Sequence, residues 1–160
     1  MALALAAASL VGCTTSKAIR TSIEIAASPA EVYAVLADFE RYPEWNPYHI
    51  RVSGEPVEGA DLAVRVSRPD GKVVDVPHVT ILKAVPGQAL HWGGGIPGIF
   101  QGEHRFDLAE TTPGTTLLSH DEDFEGLFIG FADLPVPVLT QGYDEMNRAL
   151  KRWVEEGRQG

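Results

Sequence analysis

The end of the chain restricts the fold most. Leu139, Tyr143, Met146, Leu150, Trp153 and Val154 recur at helical spacing, while Asp144, Arg148, Lys151, Glu155 and Glu156 fall mostly on the other side. That is the pattern of a long amphipathic helix. Arg148, Lys151 and Arg152 near its end also suit the negative pole of the helix dipole. Apolar residues this large need a broad concave surface to lie against, and the rest of the chain must build it.

From Tyr48 onward the pattern is one of strands separated by turn residues. Ile50 and Val52 begin one strand, Leu62, Val64 and Val66 form another, and Pro69-Asp70-Gly71 is a hairpin turn. Val74, Val76, His78, Thr80 and Leu82 then share one face of a long strand, in which Pro77 removes a ladder hydrogen bond and favours an edge or a bulge. Pro86-Gly87 turns the chain into Ala89 to Trp92, and the run Gly93-Gly94-Gly95-Ile96-Pro97-Gly98 reads as a loop or tight irregular turn. Glu103 to Leu108 and Thr115 to Phe124 are the last strands, joined at Pro113-Gly114.

Ahead of this region stands one strand and one helix. Ile19, Thr21, Ile23 and Ile25 alternate with Arg20, Ser22 and Glu24 at the period of a half-buried strand. Ser28 then offers an N-cap, Pro29 sits where its missing N–H is harmless, and Glu31 completes a capping box. Val32, Val35, Leu36 and Phe39 give that helix its apolar side. Pro43 ends regular helix nearby and Pro47 holds Asn46 extended, so residues 38–48 form a kinked aromatic connection.

These elements come in the order of the helix-grip fold. The wording also becomes familiar at Ser28-Pro29-Ala30-Glu31-Val32-Tyr33 and at Leu36-Ala37-Asp38-Phe39-Glu40-Arg41-Tyr42-Pro43-Glu44-Trp45-Asn46-Pro47. His104-Arg105-Phe106, Gly114-Thr115-Thr116-Leu117, Glu122-Asp123-Phe124-Glu125-Gly126 and Asn147-Arg148-Ala149-Leu150-Lys151 reinforce it. The chain resembles the polyketide cyclase/dehydrase and lipid-transport superfamily (SRPBCC), related to START domains and plant pathogenesis-related pollen allergens, over Ile19 to Glu156. The resemblance implies an α+β helix-grip fold, with a curved antiparallel sheet of about seven strands wrapped on the C-terminal helix. It also implies an internal cavity that often receives a hydrophobic small molecule. It does not imply a reaction.

Cys13 is the only cysteine of the 160 residues, and it closes the apolar run ending Leu10-Val11-Gly12. This resembles a bacterial lipoprotein signal, although Met1 to Ser9 lacks the usual positive charge. The expected division is residues 1–16 as signal and tether and residues 17–157 as a single ligand-binding domain. A lipidated Cys13 places the protein on the bacterial cell envelope, and a non-functional signal leaves it in the cytoplasm. The net charge of −9 argues against a nucleic-acid partner and against attraction to anionic headgroups, so membrane association must come from acyl chains.

His78, His91, His104 and His120, with Glu103, Asp121, Glu122 and Asp123, are the polar residues from which catalysis would be built. On alternation His104, Phe106 and Leu108 share one face, as do Leu118, His120, Glu122 and Phe124. An imidazole near a carboxyl on an apolar wall suits proton transfer, and the same residues also read as satisfied polar groups in an apolar lining. His78, His104, His120 and Glu122 have no short ligand spacing, so no metal is assigned, and no cofactor is called for. The expected ligand contacts are Trp45, His78, Trp92, His104, Phe106, His120, Glu122, Phe124, Phe128 and Tyr143. Leu127 to Leu139, interrupted by Pro135 and Pro137, reads as a lid or a packed connection. The leading expectation is binding or carriage of a hydrophobic or amphipathic small molecule. The alternative is a cyclase- or dehydratase-like enzyme using His104, His120 and Glu122, and a third reading is a protein partner docking on residues 128–138.

Overall fold

The computed structural model describes residues 15–157, so Cys13 and the apolar run before it lie outside the described residues. In chain order the elements are β1 (Thr15–Ile25), α1 (Pro29–Ala37), a 3₁₀ turn (Phe39–Arg41), α2 (Tyr42–Trp45), β2 (His49–Ser53) and β3 (Asp61–Ser67). There follow β4 (Val73–Val85), β5 (Ala89–Ile96), β6 (Phe100–Thr112), β7 (Thr115–Gly126) and α3 (Val136–Gly157). The strands form one sheet in the order β1-β7-β6-β5-β4-β3-β2, and every pairing is antiparallel. This is an α+β helix-grip fold, with the curved seven-stranded sheet wrapped against α3.

Local chemistry explains the frame. Ser28 caps α1, and its backbone N–H donates to the Glu31 carboxylate at 2.8 Å. Asn46 is extended before Pro47, with φ −92° and ψ 111°. Pro43 does not merely stop a helix; it stands in the first turn of the short α2, where a proline needs no N–H. Tyr42 is fully buried there, and its hydroxyl donates to the Leu36 carbonyl at 2.7 Å. On α3, Leu139, Tyr143, Met146, Leu150 and Val154 are buried with Ile19, Ile25, Leu36 and Leu118 in one core.

Four expectations need correction. Thr15 and Ser16, read as tether, already belong to β1 and pair with Gly126 and Glu125. Val74 to Leu82 do not share a face, because the register slips between Leu62 and Val64 of β3, and His78 takes φ +54°. Beyond that bulge Val79 and Ile81 turn inward and Leu82 is exposed. Gly93 to Gly95 are strand, not loop; the turn lies at residues 97–99. A Cβ at Gly94 would collide with the His78 carbonyl oxygen, and one at Gly95 with that of Phe100, so the run brings neighbouring backbones close. Trp153 is only half-buried, with the Arg41 guanidinium 4.9 Å from its ring centroid.

Candidate functional site

The sheet and α3 enclose a cavity of about 630 Å³. Its walls are mainly apolar, with Val64, Val66, Val79, Phe100, Phe124 and Leu139 among them. Where it opens it is bordered by Val74, Val76, His78 and Ile96, all exposed to solvent. Buried polar groups gather in the rest of the lining: Tyr48 just before β2, His49 from β2, His104 from β6, Glu122 from β7 and Tyr143 from α3, with Trp92 of β5 beside them.

Strand alternation makes this gathering. Trp92 opposes His104 across β5 and β6, His104 opposes Glu122 across β6 and β7, and Phe106 opposes His120. The Trp92 and His104 rings stack at 4.7 Å and 4°. His120 lies one position deeper, stacked on Tyr143 at 4.2 Å and 11°. A chain of hydrogen bonds joins them. Glu122 Oε2 meets the Tyr143 hydroxyl in a short contact, and that hydroxyl meets His104 Nδ1 at 2.9 Å. His104 Nε2 meets His120 Nε2 at 3.1 Å, and His120 Nδ1 meets Asn147 Oδ1 at 2.7 Å.

Burial sets the electrostatics. It raises the Glu122 carboxyl to about 7, against the hydrogen bond from Tyr143 that pulls it down and with some help from the Asp123 charge. The same desolvation lowers His49 and His120 to about 3 and holds His104 well below the usual imidazole range. Tyr143 is held well above the ordinary phenol value, first by burial and then by Glu122. The site at neutral pH therefore holds neutral imidazoles and a carboxyl poised to gain or lose a proton.

Of the ten expected contacts, six line the cavity: His78, Trp92, His104, Glu122, Phe124 and Tyr143. Trp45 does not; it is buried behind the wall, 5.0 Å from the Tyr42 ring. Phe106 and His120 back the lining without reaching the cavity, and Phe128 lies outside on an exposed turn. His91, Glu103, Asp121 and Asp123 take the opposite parity on their strands, where His91 meets Asp107 at 2.9 Å and Asp123 pairs with Arg20 and Arg105. Among the described residues no group of three or more His, Cys, Asp or Glu side chains is arranged for a metal ion. Sequence reasoning missed His49 and Arg68. A register shift between His49 and Arg51 aims His49 inward against the alternation of Ile50 and Val52. His49 is 3% exposed and its Nδ1 has no partner among the described residues.

The family profile described as polyketide cyclase / dehydrase and lipid transport matches residues 16–155. The chain belongs to that family. Among solved structures, this family member is similar to norcoclaurine synthase from Thalictrum flavum in complex with dopamine and hydroxybenzaldehyde. The identity is 14% over 98% of this chain and 97% of that one, with a TM-score of 0.66. A START superfamily protein from Mycobacterium smegmatis is 20% identical over 87% of this chain and 97% of its own, with a TM-score of 0.63. The di-domain ARO/CYC protein StfQ of the steffimycin biosynthetic pathway is 13% identical over 91% of this chain and 53% of its own, with a TM-score of 0.67. These likenesses show the fold. No curated protein matches the chain. As the family and the lining indicate, the cavity fits a hydrophobic or amphipathic small molecule, and its geometry suits either holding that molecule or acting on it.

Proposed function

We propose that this protein is an acid–base enzyme of the cyclase or dehydratase kind, working on an apolar carbonyl or hydroxyl compound held in the cavity. One observation carries the reading: the Glu122 carboxyl and the Tyr143 hydroxyl are bonded to each other in the wall of an apolar cavity. A carboxyl near 7 is matched to proton transfer at neutral pH. The same group can take a proton from carbon beside a carbonyl and return one to an oxygen that leaves as water. Such a reaction needs a fixed substrate fold, which the walls supply. The likeness in fold to norcoclaurine synthase and to the ARO/CYC protein of the steffimycin biosynthetic pathway supports this reading.

A generic carbon acid tests the base without knowledge of the substrate. With 5-nitrobenzisoxazole, removal of the ring C–H proton breaks the N–O bond and releases a coloured cyanophenolate. Wild type should accelerate the opening with a rate that climbs through pH 7. Glu122→Gln should lose the acceleration by about a hundredfold or more. Equal rates for the two proteins would overturn the assignment.

The second reading is carriage of the ligand without conversion, favoured by the preponderance of apolar groups in the lining. Native mass spectrometry of the protein taken from its own host would identify a retained ligand, which purified protein would then release unchanged.

The lipid anchor belongs to the same proposal. β1 starts at Thr15, two residues after Cys13, and Thr15 pairs with Gly126, which leads into the exposed Leu127, Phe128 and Phe131. An acylated Cys13 would bring this apolar edge to a bacterial membrane surface, at roughly 0.8 kcal/mol per buried CH₂ of acyl chain. Cys13→Ser should release the protein from the membrane fraction, and unchanged fractionation would sink the anchor.

A further inference from the structure

We infer that the cavity selects a neutral, hydroxyl-bearing apolar ligand whose O–H donates to Oε1 of Glu122, because a hydrogen-bond chain anchored at Thr21 holds Glu122 as an uncharged acid with its proton on Oε2. This rests on the acid–base reading above and adds the ligand class and the positioning residues Thr21 and Asn147.

The direction of the chain follows from one atom that can only accept. The backbone carbonyl of His120 has no proton, so the Thr21 hydroxyl, 2.7 Å away, donates to it. Only lone pairs remain on Thr21 Oγ1, so the atom of Asn147 at 2.9 Å must be the amide nitrogen. With the amide oriented in this way, Asn147 Oδ1 faces His120 Nδ1 at 2.7 Å, and Nδ1 carries the proton. A neutral imidazole has one N–H, so His120 Nε2 accepts from His104 Nε2 at 3.1 Å. His104 Nδ1 is then the acceptor for the Tyr143 hydroxyl at 2.9 Å. The single phenolic proton is committed to His104, so in the acid form of Glu122 the carboxyl O–H donates to Tyr143, in place of the phenol that donates to Oε2 when the carboxylate is charged.

The surroundings agree with an uncharged Glu122. Tyr48 and His49 line the same cavity and are neutral, with the phenol raised and the imidazole lowered by burial. Arg68 is paired with Asp70 and Asp133, and Asp123 with Arg20 and Arg105. No unpaired cation among them is available to hold a carboxylate. Glu122 Oε1 borders the cavity, 3.7 Å from where a Cβ on Gly102 would stand. It presents lone pairs and no net charge, which favours a hydroxyl over an ammonium group.

Two measurements test this. Nitrogen-15 NMR of the wild-type histidines should show His120 as the Nδ1–H tautomer and His104 as the Nε2–H tautomer at pH 7; the opposite tautomer at His120 overturns the chain. Binding at pH 6 should favour 1-naphthol over both 1-methoxynaphthalene and 1-naphthylmethylammonium by about tenfold. Glu122→Gln reproduces the neutral acid, its amide donating to Tyr143 and its oxygen facing the ligand, so the preference for 1-naphthol should survive in it. Loss of that preference in Glu122→Gln, or tighter binding of the ammonium by wild type, would show an anionic Glu122. Because neither measurement reads turnover, a correct tautomer pattern with no benzisoxazole opening would retire the enzyme and leave the ligand class standing. Thr21→Val frees the Asn147 amide and should mix the His120 tautomers without unfolding the protein; a spectrum identical to wild type would remove Thr21 from the role.

Discussion

Nε2 of His120 stands 3.1 Å from Nε2 of His104, so only one of the two rings can carry a proton at that contact. Both rings are buried, as is His49 4.9 Å from His104, centroid to centroid. Charging any of them sets a cation among apolar groups and beside another imidazole.

Acid should therefore destabilise the fold well before its surface carboxylates titrate. In the unfolded chain these histidines take up protons below 6.5, whereas in the fold His49 and His120 resist to about 3 and His104 is also shifted well down. The unfolded state binds more protons in that window, so stability is full above 6.5 and is lost as pH falls through it. Urea midpoints measured from pH 7 to pH 5 should fall steeply. His49→Phe keeps a ring against Trp92 and Tyr48 and removes one titrating group, so its slope should be shallower by about 1.4 kcal/mol per pH unit in the steepest region. A wild-type midpoint flat over this range would contradict the neutral histidines.

Glu122 acts in the opposite sense. Its folded value of about 7 lies above the ordinary 4.5, so the fold holds a proton that the unfolded chain has released. Stability from this group is complete below 4.5 and is lost as pH rises to 7. Glu122→Gln has nothing to lose there. The variant should gain on wild type by about 3 kcal/mol between pH 4.5 and 7.5, read from paired denaturation curves. A constant difference between the two proteins would mean an ordinary carboxyl.

The fold was legible where a local rule acted alone. The capping box at Ser28 and Glu31, the stripe on α3 and the alternation of His104 with Phe106 and of His120 with Glu122 all depend on near neighbours in sequence. What escaped depends on a neighbouring strand. Three glycines look like a loop until the backbones of β4 and β6 are seen to approach them, and the bulge at His78 reverses the faces of Val79 and Leu82. The site divides in the same way: His104, Glu122 and Tyr143 follow from periodicity, whereas His49 is turned inward by a register shift. The direction of the hydrogen-bond chain depends on Thr21, 126 positions from Asn147, and no pattern along the sequence announces it.

Two distant stabilising contacts should differ less than residue size implies. Ser28→Ala removes a cap, which costs about 1 kcal/mol. A fully buried tryptophan cut to alanine costs about 3 to 5 kcal/mol, but Trp153 is half-buried and leans on Arg41 instead of filling the core. Trp153→Ala should cost about 2 kcal/mol, within the range for partly relieved burial. A loss near the upper figure for a core tryptophan would show that Trp153 grips the sheet after all.

Gly94 and Gly102 face each other across β5 and β6, yet a methyl group should affect them in different ways. At Gly102 a Cβ would lie 3.4 Å from the Phe124 ring and 3.7 Å from Glu122 Oε1, which is ordinary contact. At Gly94 it would strike the His78 carbonyl oxygen, and that oxygen sits in the bulge that turns Val79 inward. Gly94→Ala must shift the β4 backbone, a change of the kind that costs about 1 to 3 kcal/mol. Gly102→Ala should keep its denaturation midpoint close to wild type, since alanine also restricts the unfolded chain. Its methyl nevertheless occupies the space through which a ligand reaches Oε1, so 1-naphthol affinity should fall while the fold stays intact. Measuring both quantities on both variants separates fold from site: unchanged naphthol binding in Gly102→Ala would show that the ligand does not approach Glu122 along this wall.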